Sequence, residues 1–179
     1  MTPDFANIAY LQNGSPLQQR GHRALVGSGV MAHLAAFQPL LAGTLPLDLF
    51  TANSDLDILC YAPALPDFVD TLNRYRLAKD DLQIKRTAIG GVPTVIGRFR
   101  FMDFDFEIFA QPVPVKKQAA YRHLVVEHRL LAQHGAKLFQ EVLSLKEAGI
   151  KTEPAFAQAL QLPGDPYLAL LQMYREDET

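Results

Sequence analysis

The amino-acid sequence predicts an α+β fold in which helices flank a small mixed β-sheet and further helices form a C-terminal subdomain. Short strand-like apolar segments separated by turns run between residues 40 and 111. Helical periodicity precedes them and dominates after residue 111. The chain has 179 residues, of which 49% are hydrophobic and 20% charged, which suffices for one compact unit. We therefore expect an α/β core over residues 1–111 and a helical subdomain over residues 112–179.

The first elements are predicted to be helices. Ser15 and Pro16 form a start signal, because the serine hydroxyl can accept from a free amide and proline has no amide to satisfy. A helix over residues 16–26 follows. After three small residues, apolar side chains recur at helical spacing from Val30 to Phe37, and Pro39 ends that segment.

The sheet is predicted from period-two patterns and turn signals. Gly90 and Gly91 predict a hairpin turn. A tight turn at Met102 and Asp103 would place Arg100 opposite Asp105 and Arg98 opposite Glu107. The predicted strands are 40–42, 55–61, 82–89, 92–101 and 104–109, with a helix at 66–75.

The C-terminal part is predicted to be helical throughout. Helices are expected over residues 118–132 and 137–148, the second ended by Gly149. Thr152 with Pro154, and Asp165 with Pro166, are polar-residue-then-proline signals for two short helices.

Composition excludes several classes of protein. A formal net charge of −2 lacks the basic excess that binding to a long nucleic-acid duplex requires. Cys60 is the only cysteine, so no internal disulfide is possible. The sequence has neither a secretion-signal pattern nor an apolar run of membrane-spanning length. We expect a cytoplasmic protein with no membrane partner.

Asp55 and Asp57 are the first candidates for chemistry. On a strand they would leave the same face, opposite to Leu56 and Ile58. Two carboxylates held together repel one another unless a cation or proton lies between them, and hard oxygen ligands suit magnesium. The alternative is a solvated strand end, since such acidic pairs are common on surfaces.

The residues before this pair favour the functional interpretation. Gly43 and Thr44 stand ten residues before Ser54, so a turn backbone and a hydroxyl could meet a phosphate chain. The stretch GTLPLDLFTANSDLDIL resembles the signature of the DNA polymerase beta-type nucleotidyltransferase superfamily, a Gly-Ser or Gly-Gly pair before an Asp-x-Asp strand. The superfamily turn usually opens a helix, whereas here Pro46 follows.

That resemblance implies a third carboxylate on a neighbouring strand. FDFEIF offers Glu107 as the first choice and Asp105 as the second. Cross-strand ion pairing with Arg98 and Arg100 is an equally good explanation for both acids.

More of the chain resembles a narrower family, a bacterial domain of unknown function with a nucleotidyltransferase-like fold. The matching strings are GTLPL, SDLDI, FEIFAQPVPV, AYRHLVVEHRLL and GIKTEPAFAQAL, within residues 8–171.

The resemblance implies a reaction. Asp55, Asp57 and Glu107 would hold magnesium, while Gly43, Thr44 and Ser54 would contact a nucleoside triphosphate. A nucleoside monophosphate would pass to an unknown acceptor, a small molecule or a protein, with release of pyrophosphate. The alternative is a non-catalytic protein of the same fold that binds a nucleotide or a partner.

His123 and Glu127 lie four residues apart on a predicted helix but do not predict zinc, because no further ligands complete a tetrahedral set. Arg122 and His123 could still reach the mouth of the site. Lys151, Thr152, Glu153 and Pro154 are explained as the start of a helix.

Overall fold

A mixed five-stranded sheet forms the centre of the protein, shown by a computed structural model that describes residues 4–76 and 81–176. The strands are β1 (Leu40–Ala42), β2 (Leu56–Tyr61), β3 (Gln83–Ile89), β4 (Val92–Phe101) and β5 (Phe104–Gln111). Their order is β1-β2-β5-β4-β3; β2 and β5 run parallel and the other neighbours antiparallel. The helices are α1 (Pro16–Ser28), α2 (Val30–His33), α3 (Leu65–Arg76), α4 (Ala119–Glu147), α5 (Thr152–Ala159) and α6 (Pro166–Gln172).

The predicted α+β class, with helices around a small mixed sheet, is confirmed. So is the register of the β4–β5 hairpin, in which Arg98 is opposite Glu107 and Arg100 opposite Asp105. The division of the chain into residues 1–111 and 112–179 stays a prediction. The first three and last three residues of these ranges, 1–3 and 177–179, lie outside the described residues. Within the described residues, no helix has the length and apolar character needed to cross a membrane.

Each face of the sheet packs against its own set of helices. Leu56, Ile58 and Phe106 point toward α1, α2 and α3 and belong to one buried cluster. Leu40 and Leu59 belong to a second cluster with apolar residues of α4, α5 and α6. Because side chains alternate along a strand, Asp57 and Glu107 share the face that α4, α5 and α6 cover.

Several predicted boundaries differ from the structure for local reasons. The segment from Val30 is α-helical only to His33 and continues as a 3₁₀ turn at Ala35–Phe37. The α-helix ends there because the dihedral angles of Leu34, φ −94° and ψ 9°, are no longer those of an α-helix. A 3₁₀ turn at Ile8–Asn13, capped by the Asn7 side chain, was not predicted.

One prediction for the C-terminal helices is confirmed and one is wrong. The expected break between residues 132 and 137 lies at Gly135, whose φ of 65° and ψ of −154° are non-helical, so α4 consists of two helical segments joined at a kink. The capping prediction for Thr152 is wrong, because this residue begins α5 and its hydroxyl accepts from Lys146 Nζ at 2.9 Å. Ser15 and Asp165 do cap α1 and α6.

Candidate active site

The acidic residues lie in one row across the sheet. Asp57 on β2 pairs with Glu107 on β5, and Glu107 pairs in turn with Arg98 on β4. Ala42 on β1 is the partner of Asp57 on its other side. Neighbouring strands are about 4.8 Å apart, so the row brings two carboxylates together on one face. Asp55 precedes β2 and is exposed beside them.

Gly43 shapes the backbone against which Asp57 rests. Its φ of +68° lies in the left-handed region, which favours glycine. A Cβ at this position would collide with Oδ2 of Asp57. The glycine therefore both allows the turn and leaves room for the carboxylate.

A cavity of about 860 Å³ opens between this face of the sheet and the C-terminal helices. That is within the range of small-molecule sites. All six primary candidates from the sequence line it: Gly43, Thr44, Ser54, Asp55, Asp57 and Glu107. Asp105 does not line the cavity; it is exposed and bound by Arg100.

Electrostatics make the floor of the cavity favourable for a cation. Burial, followed by repulsion from Glu107 and Asp55, raises the pKa of Asp57 from 3.8 to about 7. Burial and repulsion from Glu107 and Asp105 raise the pKa of Asp55 as well. A divalent cation would relieve this repulsion, and carboxylate oxygens are ligands that magnesium prefers. In charge and donor type, the residues fit magnesium.

Glu107 is engaged elsewhere in the present conformation. Arg98 donates to its Oε2 through Nε at 2.8 Å and through Nη2. Among the described residues, no three His, Cys, Asp or Glu side chains are arranged to hold a metal ion. Both Arg98 donors bind Oε2, so Glu107 would share its carboxylate between this ion pair and any metal that it ligates.

The turn after β1 presents its backbone rather than a helix end. The Thr44 carbonyl accepts from the amides of Leu47 and Leu49, and no helix follows. The Thr44 hydroxyl is buried and has no hydrogen-bond partner among the described residues. Ser54 is tied into its own turn, where its hydroxyl accepts from the Thr51 amide at 3.0 Å.

The opposite wall of the cavity carries a second polar cluster, formed by His123, Lys146, Thr152 and Glu153. His123 Nδ1 lies 3.3 Å from Glu153 Oε1, and its Nε2 lies 3.1 Å from the Tyr167 carbonyl. Both partners are acceptors, so both ring nitrogens are satisfied when the imidazole is protonated. Burial lowers the pKa of His123, but the bonds to Glu153 and Tyr167 outweigh it and the net pKa is raised.

Sequence reasoning missed Lys146 altogether and assigned Thr152 and Glu153 to structure alone. A signal for Lys146 existed, because it follows Leu138 and Val142 at four-residue steps along the buried stripe of α4. A charged residue in such a stripe needs a polar surrounding. Arg122 does not line the cavity and instead packs over the Tyr174 ring at 5.2 Å.

Glu127 lies behind this wall on α4 and is almost fully buried. Burial, together with the nearby Glu153, raises its pKa to about 8, against the opposing charges of His123 and Lys146. The wall therefore combines two basic side chains, His123 and Lys146, with two acids, Glu127 and Glu153, and burial favours the protonated form of Glu127.

Comparison with known proteins places the chain in a family. Residues 23–173 match the family described as "Domain of unknown function (DUF4269)". The chain belongs to that family. No curated protein sequence matches this DUF4269 chain.

Solved structures share its fold. The Cid1 poly(U) polymerase with MgGTP bound is 14% identical at a TM-score of 0.52, over 72% of this chain and 41% of that one. The polymerase core of TRAMP, an RNA surveillance complex, is 13% identical at 0.52, over 91% and 50%. The GLD-2/RNP-8 complex is 14% identical at 0.53, over 86% and 61%. This DUF4269 chain thus spans less than two thirds of each, and the likeness establishes a nucleotidyltransferase-type fold.

Proposed function

We propose that the protein is a magnesium-dependent nucleotidyltransferase that moves a nucleoside monophosphate from a nucleoside triphosphate to an acceptor. The observation that carries the proposal is the cross-strand pairing of Asp57 with Glu107, beside Asp55, at the floor of a ligand-sized cavity. The fold is shared with a polymerase whose structure contains MgGTP. An acidic cluster on such a fold is the arrangement expected for this reaction.

The reaction would be attack of an acceptor hydroxyl or amine on the α-phosphorus. The bond to the bridging oxygen breaks, and pyrophosphate leaves. Asp55 and Asp57 would hold magnesium, with Glu107 as the third ligand or as acceptor of the proton that the attacking group loses. Bound magnesium would neutralise negative charge that develops on the transferred phosphate.

Other residues of the chain would position the triphosphate. The backbone at Gly43 and Thr44 and the Ser54 loop face the cavity beside the acids. Lys146 faces it from the helical wall, and its charge acts on Asp57 across the cavity. A lysine there would offset charge on the phosphates as a point cation. Positioning and charge supply most of the rate enhancement in such transfers.

We propose a small molecule or a protein as the acceptor. The net charge of −2 argues against a long nucleic acid, because binding one depends on many basic contacts. Poly(U) synthesis belongs to a structural relative, and the shared fold alone does not transfer that substrate to this chain.

The test is transfer of label from each α-labelled nucleoside triphosphate, with magnesium and cell extract as the acceptor source. Wild type, Asp57→Asn and the matched control Asp105→Asn would be compared. We expect label transfer by the wild type and the control but none by Asp57→Asn, because Asp105 lies outside the cavity. Equal labelling by all three proteins, or by none, would contradict the enzymatic proposal.

A second candidate is a non-catalytic protein that binds a nucleotide in the same cavity. The bond between Arg98 and Glu107 favours it, because the guanidinium offsets the charge of one of the three carboxylates that would hold a metal. Calorimetry would separate the two proposals. Binding of a triphosphate that is fully recovered after long incubation with magnesium and extract would support the binding protein.

A further inference from the structure

Glu107 lies in the sheet between the proposed cation site and a cationic side chain. Asp57 is its partner on β2, and Arg98 is its partner on β4. We propose that Arg98 competes with the catalytic metal for Glu107, so that the ion pair sets how tightly the protein binds the metal. Arg98 is then a positioning residue, and the inference rests on the metal site of the proposed function.

The geometry of the pair supports an exchange between two positions. Arg98 Nε and Nη2 both donate to Oε2 of Glu107, while the same carboxylate lines the cavity with Asp55 and Asp57. One side chain thus serves both the ion pair and the candidate metal site. While Oε2 is bound by the guanidinium, it offers less negative charge to a cation at Asp57.

The pair is weak enough to be broken by a divalent ion. The Arg98 side chain is 57% exposed and that of Glu107 is 21% exposed. Exposed ion pairs contribute little because water screens the charges and the long side chains lose freedom. Without Arg98, the freed Glu107 would repel Asp57 more strongly, which further favours a bound cation.

The next pair along the same hairpin provides an internal control. Arg100 donates from Nη1 to both carboxylate oxygens of Asp105, at 3.0 and 3.1 Å. It belongs to the same strands, but Asp105 does not line the cavity. Removing Arg100 also subtracts one positive charge from the same face without freeing a ligand of the proposed site.

The experiment is titration of the full chain with Mn²⁺, with free Mn²⁺ measured by electron paramagnetic resonance. Wild type, Arg98→Gln and Arg100→Gln are compared at matched ionic strength. We expect Arg98→Gln to bind Mn²⁺ about two- to fivefold more tightly, the range set by the strength of an exposed ion pair. Arg100→Gln should gain less affinity than Arg98→Gln, because the freed Asp105 repels Asp55 but lies outside the cavity.

A double-mutant cycle tests whether Glu107 mediates the effect. In the Glu107→Gln background, Arg98→Gln should change Mn²⁺ affinity much less than it does in the wild type, because only the direct action of the Arg98 charge on Asp55 remains. Thermal melting of each variant checks that it folds. We expect Arg98→Gln to fold, because the Arg98 side chain is 57% exposed.

The outcomes separate this inference from the function on which it rests. Equal affinities of Arg98→Gln and Arg100→Gln, weaker binding by Arg98→Gln, or an Arg98 effect of undiminished size without Glu107 would overturn the competition while leaving the metal site in place. Absence of Mn²⁺ binding by the wild type would overturn both the inference and the proposed metal site.

Discussion

Replacing Asp57 by asparagine should stabilise the metal-free protein above neutral pH. Asp57 lies half-buried at the floor of the cavity, next to Glu107 and Asp55. Burial and the repulsion of these two acids raise its pKa from 3.8 to about 7. Ionising it in the folded state therefore costs free energy, and asparagine, which does not ionise, avoids that cost.

The size of the effect follows from the two pKa values. A rise from 3.8 to about 7 corresponds to about 4 kcal/mol at full burial. Because the carboxylate faces a cavity open to water, we reduce this to about 1–2 kcal/mol. In a chain of this size, that raises the melting temperature by roughly 2–8 °C.

The pH dependence has a definite sign. The folded-state pKa of Asp57 is above its unfolded value, so the stability that this group contributes is fully present below pH 3.8 and is lost as the pH rises through about 7. The advantage of Asp57→Asn should therefore be small at pH 4, grow up to pH 7 and stay constant above it.

The assay is thermal melting of wild type, Asp57→Asn and Asp105→Asn in EDTA at pH 4, 5, 6 and 8, repeated with magnesium at pH 8. Magnesium should stabilise the wild type and not Asp57→Asn, because ligand binding to the folded state adds to its stability. Asp105→Asn should lack the pH-dependent gain. A melting temperature of Asp57→Asn equal to or below that of wild type at pH 8 in EDTA would refute the electrostatic reasoning.

Two other substitutions test the cavity and its helical wall. Gly43→Ala should lose about 1–2 kcal/mol of stability, because alanine is strained in a left-handed conformation, and it should also lose Mn²⁺ affinity. The control is Gly91→Ala, which should lose stability alone, because Gly91 has a φ of +78° and open space around it. Equal Mn²⁺ affinity in both variants would contradict the contact between Gly43 and Asp57. His123→Gln should destabilise more at pH 6 than at pH 9 in urea unfolding, because the raised pKa of His123 gives stability that is present below the unfolded pKa and lost as pH rises through the folded one. The same destabilisation at both pH values would show that His123 is not held as a cation.

Local signals in the sequence explain how much of the fold could be predicted. Ser15 and Asp165 cap helices because their side chains reach amides within the next turn. The β4–β5 register follows from a two-residue turn, which leaves the flanking strands one way to pair. The break between the helices predicted at residues 118–132 and 137–148 is present as well, and Gly135 supplies it with a backbone conformation that is open to glycine.

The acids of the candidate site were selected from the sequence by an Asp-x-Asp strand and a family resemblance. From the sequence, Glu107 has two interpretations: it is a metal ligand, or it is the ion-pair partner of Arg98. The structure shows why the residues alone could not separate them. Glu107 contacts Arg98 and also lines the cavity with Asp57, so both interpretations use the same side chain.

The sequence by itself determined most of the helices and strands, the register of the β4–β5 hairpin and the residues that share a strand face, because these depend on neighbours in the chain. Only the tertiary structure decided that β2 and β5 run parallel, so that Asp57 meets Glu107 fifty positions later. It also decided that Lys146 and Glu153 form the opposite wall of the cavity. Contacts between residues so distant in sequence depend on how strands and helices pack around the core. A local sequence pattern does not specify that packing.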